Sequence, residues 1–90
     1  MDSLPGGDLI SAGIQDLHDE RETIAALLVA IGAPKLRRLG LELPTRLPSN
    51  PEHRLYELLS LTAHDAAHSK YNALIRRLVS FQRAIPCVKK

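Results

Sequence analysis

The 90-residue sequence is short of cysteine and of aromatic residues: it has one cysteine, no tryptophan, two tyrosines and one phenylalanine. A single cysteine excludes an internal disulfide framework and indicates a reducing compartment. Long apolar runs are also missing, because the longest uncharged stretch, residues 23 to 34, is too short to span a bilayer. The acidic start lacks a basic region followed by an apolar stretch, so no signal peptide is visible. We therefore predict a cytoplasmic protein with no membrane segment.

Apolar residues make up 44% of the chain, and the predominance of leucine, isoleucine and alanine among them favours helices. Charge, in contrast, is distributed unevenly. Residues 1 to 34 carry six acids against Arg21, a balance of −5, whereas residues 35 to 90 carry eleven Lys and Arg against four acids, a balance of +7. This imbalance indicates either oppositely charged helices that pack together or a basic surface that faces an acidic partner.

A first helix is predicted over residues 9–31, with Asp8 as its cap and with Gly32 and Pro34 as its stop. Two rows of residues spaced by seven run along this segment: Ile10, Leu17, Ile24 and Ile31, and Ile14, Arg21 and Leu28. Such a heptad pattern is typical of a helix that packs nearly parallel to another. We expect residues 32–50 to form a connection with a short helical turn near its start and leucines packed onto the helices.

A second helix is predicted over residues 51–84, because Pro51 suits a first helical turn and no Gly or Pro follows before Pro86. Two heptad rows mark its second half: Ala67, Leu74 and Phe81, and His64, Tyr71, Leu78 and Ile85. At a rise of about 1.5 Å per residue, this helix would measure roughly 50 Å against roughly 35 Å for the first.

The predicted fold is therefore a single all-α domain over residues 1–90, with two long antiparallel helices and a short helical connection. The shorter helix cannot cover the longer one, which would leave apolar side chains exposed. The side chains concerned are Tyr71, Leu74, Leu78 and Phe81. We therefore expect a homodimeric helical bundle formed through the second helix.

His64 and His68 stand four residues apart beside Asp65, a spacing at which two imidazoles on a helix can share a metal ion. The segment lacks the glutamate that follows the first histidine in the zinc-hydrolase pattern, and it has no third ligand at a diagnostic spacing. His64 also falls in a heptad row, which favours packing inside the bundle. We expect no metal, no cofactor and no catalytic residue, and a metal-dependent enzyme ranks last among the functions considered.

Three short segments near the ends of the chain carry a family resemblance. They are "LPGGDLISAGI" with Leu4, Pro5, Asp8, Leu9 and Ile14, "HSKYNALI" with Ser69, Asn72, Leu74 and Ile75, and "AIPCV" with Ile85 and Pro86. These segments resemble the TraM antiactivators of conjugal-transfer quorum sensing. The resemblance implies a small all-helical homodimer without enzymatic activity, which binds a LuxR-type (TraR) transcriptional activator, stops it binding DNA and so restrains plasmid conjugation.

A partner-binding surface follows from combining the resemblance with the physical character of the second helix. Aromatic side chains are favoured anchors at helix interfaces, and arginines near an apolar seam can pair with acids on a regulator. The predicted surface comprises Leu4, Pro5, Asp8, Leu9, Ile14, Ser69, Tyr71, Asn72, Leu74, Ile75, Arg76, Arg77, Phe81 and Pro86. The simpler interpretation is that the arginines only solubilise the protein and the aromatics are core or dimer contacts.

Direct nucleic-acid binding by the basic second half is the alternative function. The charge balance supports it, but no helix-turn-helix pattern separates two short helices in the sequence. We therefore predict no direct contact with nucleic acid.

Overall fold

Four α-helices and one 3₁₀ turn form the part of the protein that the computed structural model describes, residues 6–62 and 64–88, with side chains described up to residue 85. The helices are α1 (Gly7–His18), α2 (Ile24–Arg38), α3 (Pro51–Thr62) and α4 (Ala67–Val88), and the 3₁₀ turn is His64–Ala66. Since these residues include no strand, the prediction of an all-α fold is confirmed.

The prediction of one continuous helix over residues 9–31 is wrong, because the chain turns between α1 and α2. At the end of α1, the backbone N–H of Arg21 donates to the carbonyl of Asp16 at 2.7 Å, and that of Glu20 donates to Leu17 at 3.1 Å. Glu20 itself is left-handed, with φ 58°. This is the Schellman arrangement that closes many helices, here with glutamate where glycine is usual.

Thr23 begins α2 and explains why the helical pattern restarts there. Its Oγ1 accepts a hydrogen bond from the backbone N–H of Ala26 at 3.1 Å and donates one to Asp16 Oδ2 at 2.6 Å. The first bond is an N-cap, and the second ties the start of α2 to the last turn of α1. Turn chemistry therefore overrides the heptad periodicity at this point.

The predicted stop at Gly32 and Pro34 is also wrong, because α2 continues through both residues. The helix ends where Gly40 adopts φ 98° and the N–H of Leu41 donates to the carbonyl of Leu36 at 3.1 Å. Gly40, rather than Gly32, thus supplies the left-handed residue that the helix end requires. The short helical turn expected at the start of the connection is the last turn of α2.

The connection between α2 and α3 is irregular, as expected, and it is anchored on the helices. The guanidinium of Arg37 donates to the carbonyl of Pro44 at 2.6 Å. Leucines along the connection are half-buried against the core: Leu39, Leu41, Leu43 and Leu47. The expectation that this segment packs its leucines onto the helices is confirmed.

The second long helix, predicted over residues 51–84, is divided by the 3₁₀ turn. The rings of Tyr56 in α3 and Tyr71 in α4 have centroids 5.9 Å apart, whereas fifteen residues of one straight helix would separate them by about 22 Å. The end of α3 and the start of α4 therefore form a hairpin. Since the sequence offers no Gly or Pro here, the cause is tertiary: folding back buries Leu59 and Ala67.

Helix α2 lies at the centre of the fold and packs against α1, α3 and α4. Glycines allow two of these approaches. A Cβ on Gly13 of α1 would lie 2.3 Å from the carbonyl oxygen of Ala25, and one on Gly32 of α2 would lie 2.8 Å from a methyl of Leu78 in α4. The largest fully buried side chains are Phe81, Ile10, Leu27, Leu28, Leu36, Leu55 and Val29.

The fold itself covers most of the apolar side chains that were expected to form a dimer interface on the second helix. Leu78 and Phe81 are buried within the chain, and Tyr71 and Leu74 are half-buried against the core. The two predicted long helices are each divided into two shorter helices, and these shorter helices cover one another. Little of the apolar surface predicted on the second helix therefore remains exposed. The homodimer stays a prediction without that support.

Candidate interaction surface

The predicted partner residues separate by their exposure to solvent. Asp8, Ser69, Arg76 and Arg77 are exposed. Half-buried residues are Leu9, Ile14, Tyr71, Asn72, Leu74 and Ile75. Leu4, Pro5 and the side chain of Pro86 lie outside the described part of the structure. Phe81 is fully buried, so we treat it as a core residue and leave it out of the candidate surface.

One face of α4 points to solvent and forms the centre of the candidate surface. Residues three and four apart on a helix share a face, and this spacing joins exposed and half-buried positions that we name the outer stripe: Ser69, Asn72, Arg76, Ser80 and Arg83. Within α4 the basic residues are Lys70, Arg76, Arg77 and Arg83, and there is no aspartate or glutamate. The outer stripe is therefore a polar row on a positively charged helix.

Arg77 lies on the flank of α4 and links this helix to the start of α1. Its Nη2 atom is 3.6 Å from Asp8 Oδ1, and both side chains are exposed, so the ion pair contributes little to stability. The backbone is close at the same place, because a Cβ on Gly6 would lie 3.1 Å from the carbonyl oxygen of Arg77. The fold therefore brings the first segment that carries the family resemblance next to the part of α4 that follows the segment "HSKYNALI".

Asn72 is partly engaged by its own helix. Its Nδ2 atom lies 3.2 Å from Nε2 of His68, one turn earlier in α4. This contact restrains the orientation of the Asn72 amide within the outer stripe. His68 thus supports the surface through a hydrogen bond within α4.

Tyr71 is held by packing. Its ring contacts that of Tyr56 at 5.9 Å between centroids. Burial raises the pKa of the Tyr71 hydroxyl above its ordinary value of 10.0, and the negative charge of Glu52 raises it further. Tyr71 therefore belongs to the contact between α3 and α4, which agrees with the simpler interpretation of the aromatic residues.

The histidine cluster does not adopt the predicted arrangement. His64 lies in the 3₁₀ turn with its side chain 90% exposed, so its placement in a packed heptad row is wrong. Its Nδ1 atom is 3.6 Å from Asp65 Oδ1, which is also exposed. Among the residues that the structure describes, no group of three or more His, Cys, Asp and Glu side chains is placed to hold a metal ion.

Two surface features escaped the sequence reasoning. An open cleft of about 490 Å³ lies between the α1–α2 turn and the connection, lined in part by His18, Glu20 and Arg46. Leu61, at the end of α3, is 81% exposed. The cleft joins segments more than twenty residues apart and has no sequence signal. The exposure of Leu61 could not be predicted without knowing that α3 ends one residue later.

Comparisons with protein-family models, with curated proteins and with solved structures found no match to this chain. Among the described residues, no helix combines the length and the apolar character that crossing a membrane requires.

Proposed function

We propose that this chain is a non-enzymatic interaction protein that binds a LuxR-type transcriptional activator and blocks its DNA binding, restraining plasmid conjugal transfer. The outer stripe of α4 is the observation that carries the proposal. Ser69 and Asn72 are small polar residues that permit close approach of a second helix, and Arg76 offers a charge to an acidic partner. Positive charge on such a surface speeds association with an acidic one.

The junction of α1 with α4 gives the proposal further support. Asp8, in the first segment that resembles the antiactivators, pairs at 3.6 Å with Arg77, which lies two residues after the segment "HSKYNALI". A partner that contacts α4 at this point would therefore also meet the start of α1. The proposed mechanism uses binding energy alone, because the complex either occludes the activator or favours a state that cannot bind DNA. The proposal includes a homodimer in the cytoplasm.

The decisive experiment follows fluorescence anisotropy of labelled operator DNA bound by a purified LuxR-type activator while this protein is titrated in. We expect anisotropy to fall as the activator leaves the DNA, with no DNA binding when the activator is omitted. Retention of the complex with the cognate activator would contradict the proposal. Salt-dependent DNA binding in the activator-free control would favour the nucleic-acid alternative instead.

A matched pair of charge reversals tests the outer stripe. Arg76→Glu and Arg46→Glu each change the charge by the same amount at an exposed arginine, but only Arg76 lies on α4. We expect Arg76→Glu to weaken activator binding by about tenfold, chiefly through slower association, and Arg46→Glu to have little effect. Equal losses would indicate a general charge effect and remove the stripe from the proposal.

A further inference from the structure

The turn between α1 and α2 is made of residues that also suit a helix. It contains no Gly or Pro, and Glu20, Arg21 and Glu22 are good helix formers. Glu20 nevertheless adopts φ 58°, a left-handed conformation that is unfavourable for a side chain of this type. The heptad row Ile10, Leu17, Ile24 and Ile31 passes through this turn without interruption, whereas the second row has Arg21 there. The same sequence therefore supports a second conformation, in which α1 and α2 are one helix.

Straightening this turn would separate α1 from its own α2. Residues 7 to 38 would then form one helix of roughly 48 Å. Ile10 and Leu17, which are buried in the closed form, would lose their cover. The face of α2 around Ala25 and Val29, against which Gly13 packs, would be exposed as well. Both apolar surfaces would need a new partner.

We propose that the face of α2 that holds α1 also accepts α1 of a second copy, giving a dimer by reciprocal exchange of α1. The occupant is a second copy because it carries the same α1, including the glycine at position 13 that this close approach requires. The contacts that α1 makes outside the turn are re-formed between the two chains, including Asp8 with Arg77. Only the turn at residues 19 to 23 differs between the two forms. The inference does not depend on binding an activator.

The composition of the turn sets the balance between the two forms. The closed form keeps the cap from Thr23 to Ala26 and the bond from Thr23 to Asp16 at 2.6 Å. The exchanged form loses these bonds in both chains, but it releases both copies of Glu20 from the left-handed conformation. Substitutions at Glu20 therefore change the equilibrium without touching the packed faces, because this residue is exposed.

Two substitutions at one position test the exchange. Glu20→Gly and Glu20→Ala remove the same carboxylate, but glycine suits the left-handed turn and alanine suits a continuous helix. Because two turns change in each dimer, the dimer dissociation constants of the two variants should differ by about 100-fold or more. Sedimentation equilibrium should rank the dimer as tighter than wild type for Glu20→Ala and looser for Glu20→Gly. Equal constants, the reverse order, or a monomeric Glu20→Ala variant at the highest soluble concentration would overturn the proposal.

A disulfide reports which chain supplies α1 in the dimer. A Cβ on Gly6 would lie 3.7 Å from the Cβ of Arg77, a separation that a disulfide spans. The variant Gly6→Cys, Arg77→Cys, Cys87→Ser is oxidised in the isolated dimer fraction and run on a denaturing gel without reductant. Exchange of α1 predicts a covalent dimer, whereas closure within each chain gives monomers and overturns the proposal.

The two single-cysteine variants, Gly6→Cys and Arg77→Cys in the Cys87→Ser background, are the controls for random cross-linking. Each should stay monomeric on the denaturing gel after the same oxidation. If the double variant fails to fold because Gly6 is left-handed, with φ 73°, the comparison of Glu20→Ala with Glu20→Gly still decides the question.

Discussion

The turn between α1 and α2 is held by its own hydrogen bonds, whereas the turn between α3 and α4 places exposed residues between packed helices. In the first, Thr23 bonds to Ala26 and to Asp16, and the backbone closes the end of α1. In the second, His64 and Asp65 are exposed, and the rings of flanking helices meet. Local chemistry therefore determines the first turn, and packing of distant side chains determines the second.

The two halves of the fold also differ in how their helices pack. Helices α1 and α2 approach so closely that a Cβ on Gly13 would meet the backbone oxygen of Ala25. Helix α4 instead fills the core with large side chains, above all Phe81. The first half of the fold should therefore be sensitive to added atoms, and the second half to removed ones.

The largest expected effect on stability concerns the core packing of α4. Phe81→Ala should lower the free energy of unfolding by about 3 to 5 kcal/mol, because it leaves a cavity in the core. Urea denaturation followed by circular dichroism measures the loss. The control is Leu61→Ala, which truncates a side chain that is 81% exposed and should change stability by less than about 0.5 kcal/mol. A small loss for Phe81→Ala would show that α4 is not held by this side chain.

The second largest expected effect on stability comes from adding a single methyl group where α1 packs against α2. Gly13→Ala should destabilise the protein by about 1 to 3 kcal/mol, because the new Cβ meets backbone atoms that cannot move alone. Gly32→Ala is the matched control: its Cβ would meet only side-chain ends, Leu78 Cδ1 at 2.8 Å and Gln82 Nε2 at 2.9 Å. We expect it to lower stability less than Gly13→Ala in thermal and urea unfolding, because the side-chain ends can rotate away, although this disturbs the bond from Gln82 to the carbonyl of Gly32. Similar losses at both glycines would remove the distinction between backbone and side-chain contact.

A pair of threonines compares the two turns directly. Thr23→Ala removes the cap of α2 and should lower the free energy of unfolding by about 1 to 2 kcal/mol. Thr62, at the end of α3, donates a long hydrogen bond of 3.4 Å to the carbonyl of Leu59, and Thr62→Ala should change stability by less than about 0.5 kcal/mol. Chemical denaturation of both variants provides the measurement. An equal loss for Thr62→Ala would mean that the second turn also depends on local bonds.

The smallest expected effect is a pH dependence that comes from Tyr71. Its pKa is raised in the folded protein by burial and by Glu52, so the unfolded chain releases this proton first. The contribution of neutral Tyr71 to the free energy of unfolding is therefore fully present below the ordinary pKa of 10.0. It is lost as pH rises through the higher pKa of the folded protein. Above pH 10.0 the wild type should lose stability more steeply than Tyr71→Phe. Parallel pH profiles in urea denaturation would contradict this assignment.

The all-α class could be predicted because leucine and alanine dominate and because Pro51 marks a helix start that the structure keeps. The turn before α2 had a signal that periodicity concealed, since Thr23 precedes a long apolar run as a cap does. The turn at His64–Ala66 had no such signal in the sequence. A heptad row records which residues are apolar, but not which helix covers them.

The candidate surface was predictable only in part for the same reason. Arg76 and Ser69 were identified by their chemistry, and the structure leaves both exposed. Phe81 was identified by its chemistry as well, but a distant part of the chain buries it. The contact of Asp8 with Arg77 joins residues 69 positions apart, and a pairing at that separation arises only from the assembled fold.

One buried amide has a consequence for the opposite side of α4. The Nε2 atom of Gln82, a side chain only 7% exposed, donates to the carbonyl of Gly32 at 3.5 Å. If α4 slid along α2 by one turn, this amide would lose its acceptor while still inside the protein, which is unfavourable by about 1 to 3 kcal/mol. This buried hydrogen bond therefore fixes the register of α4 on α2. It also determines which side chains α4 displays on its exposed face.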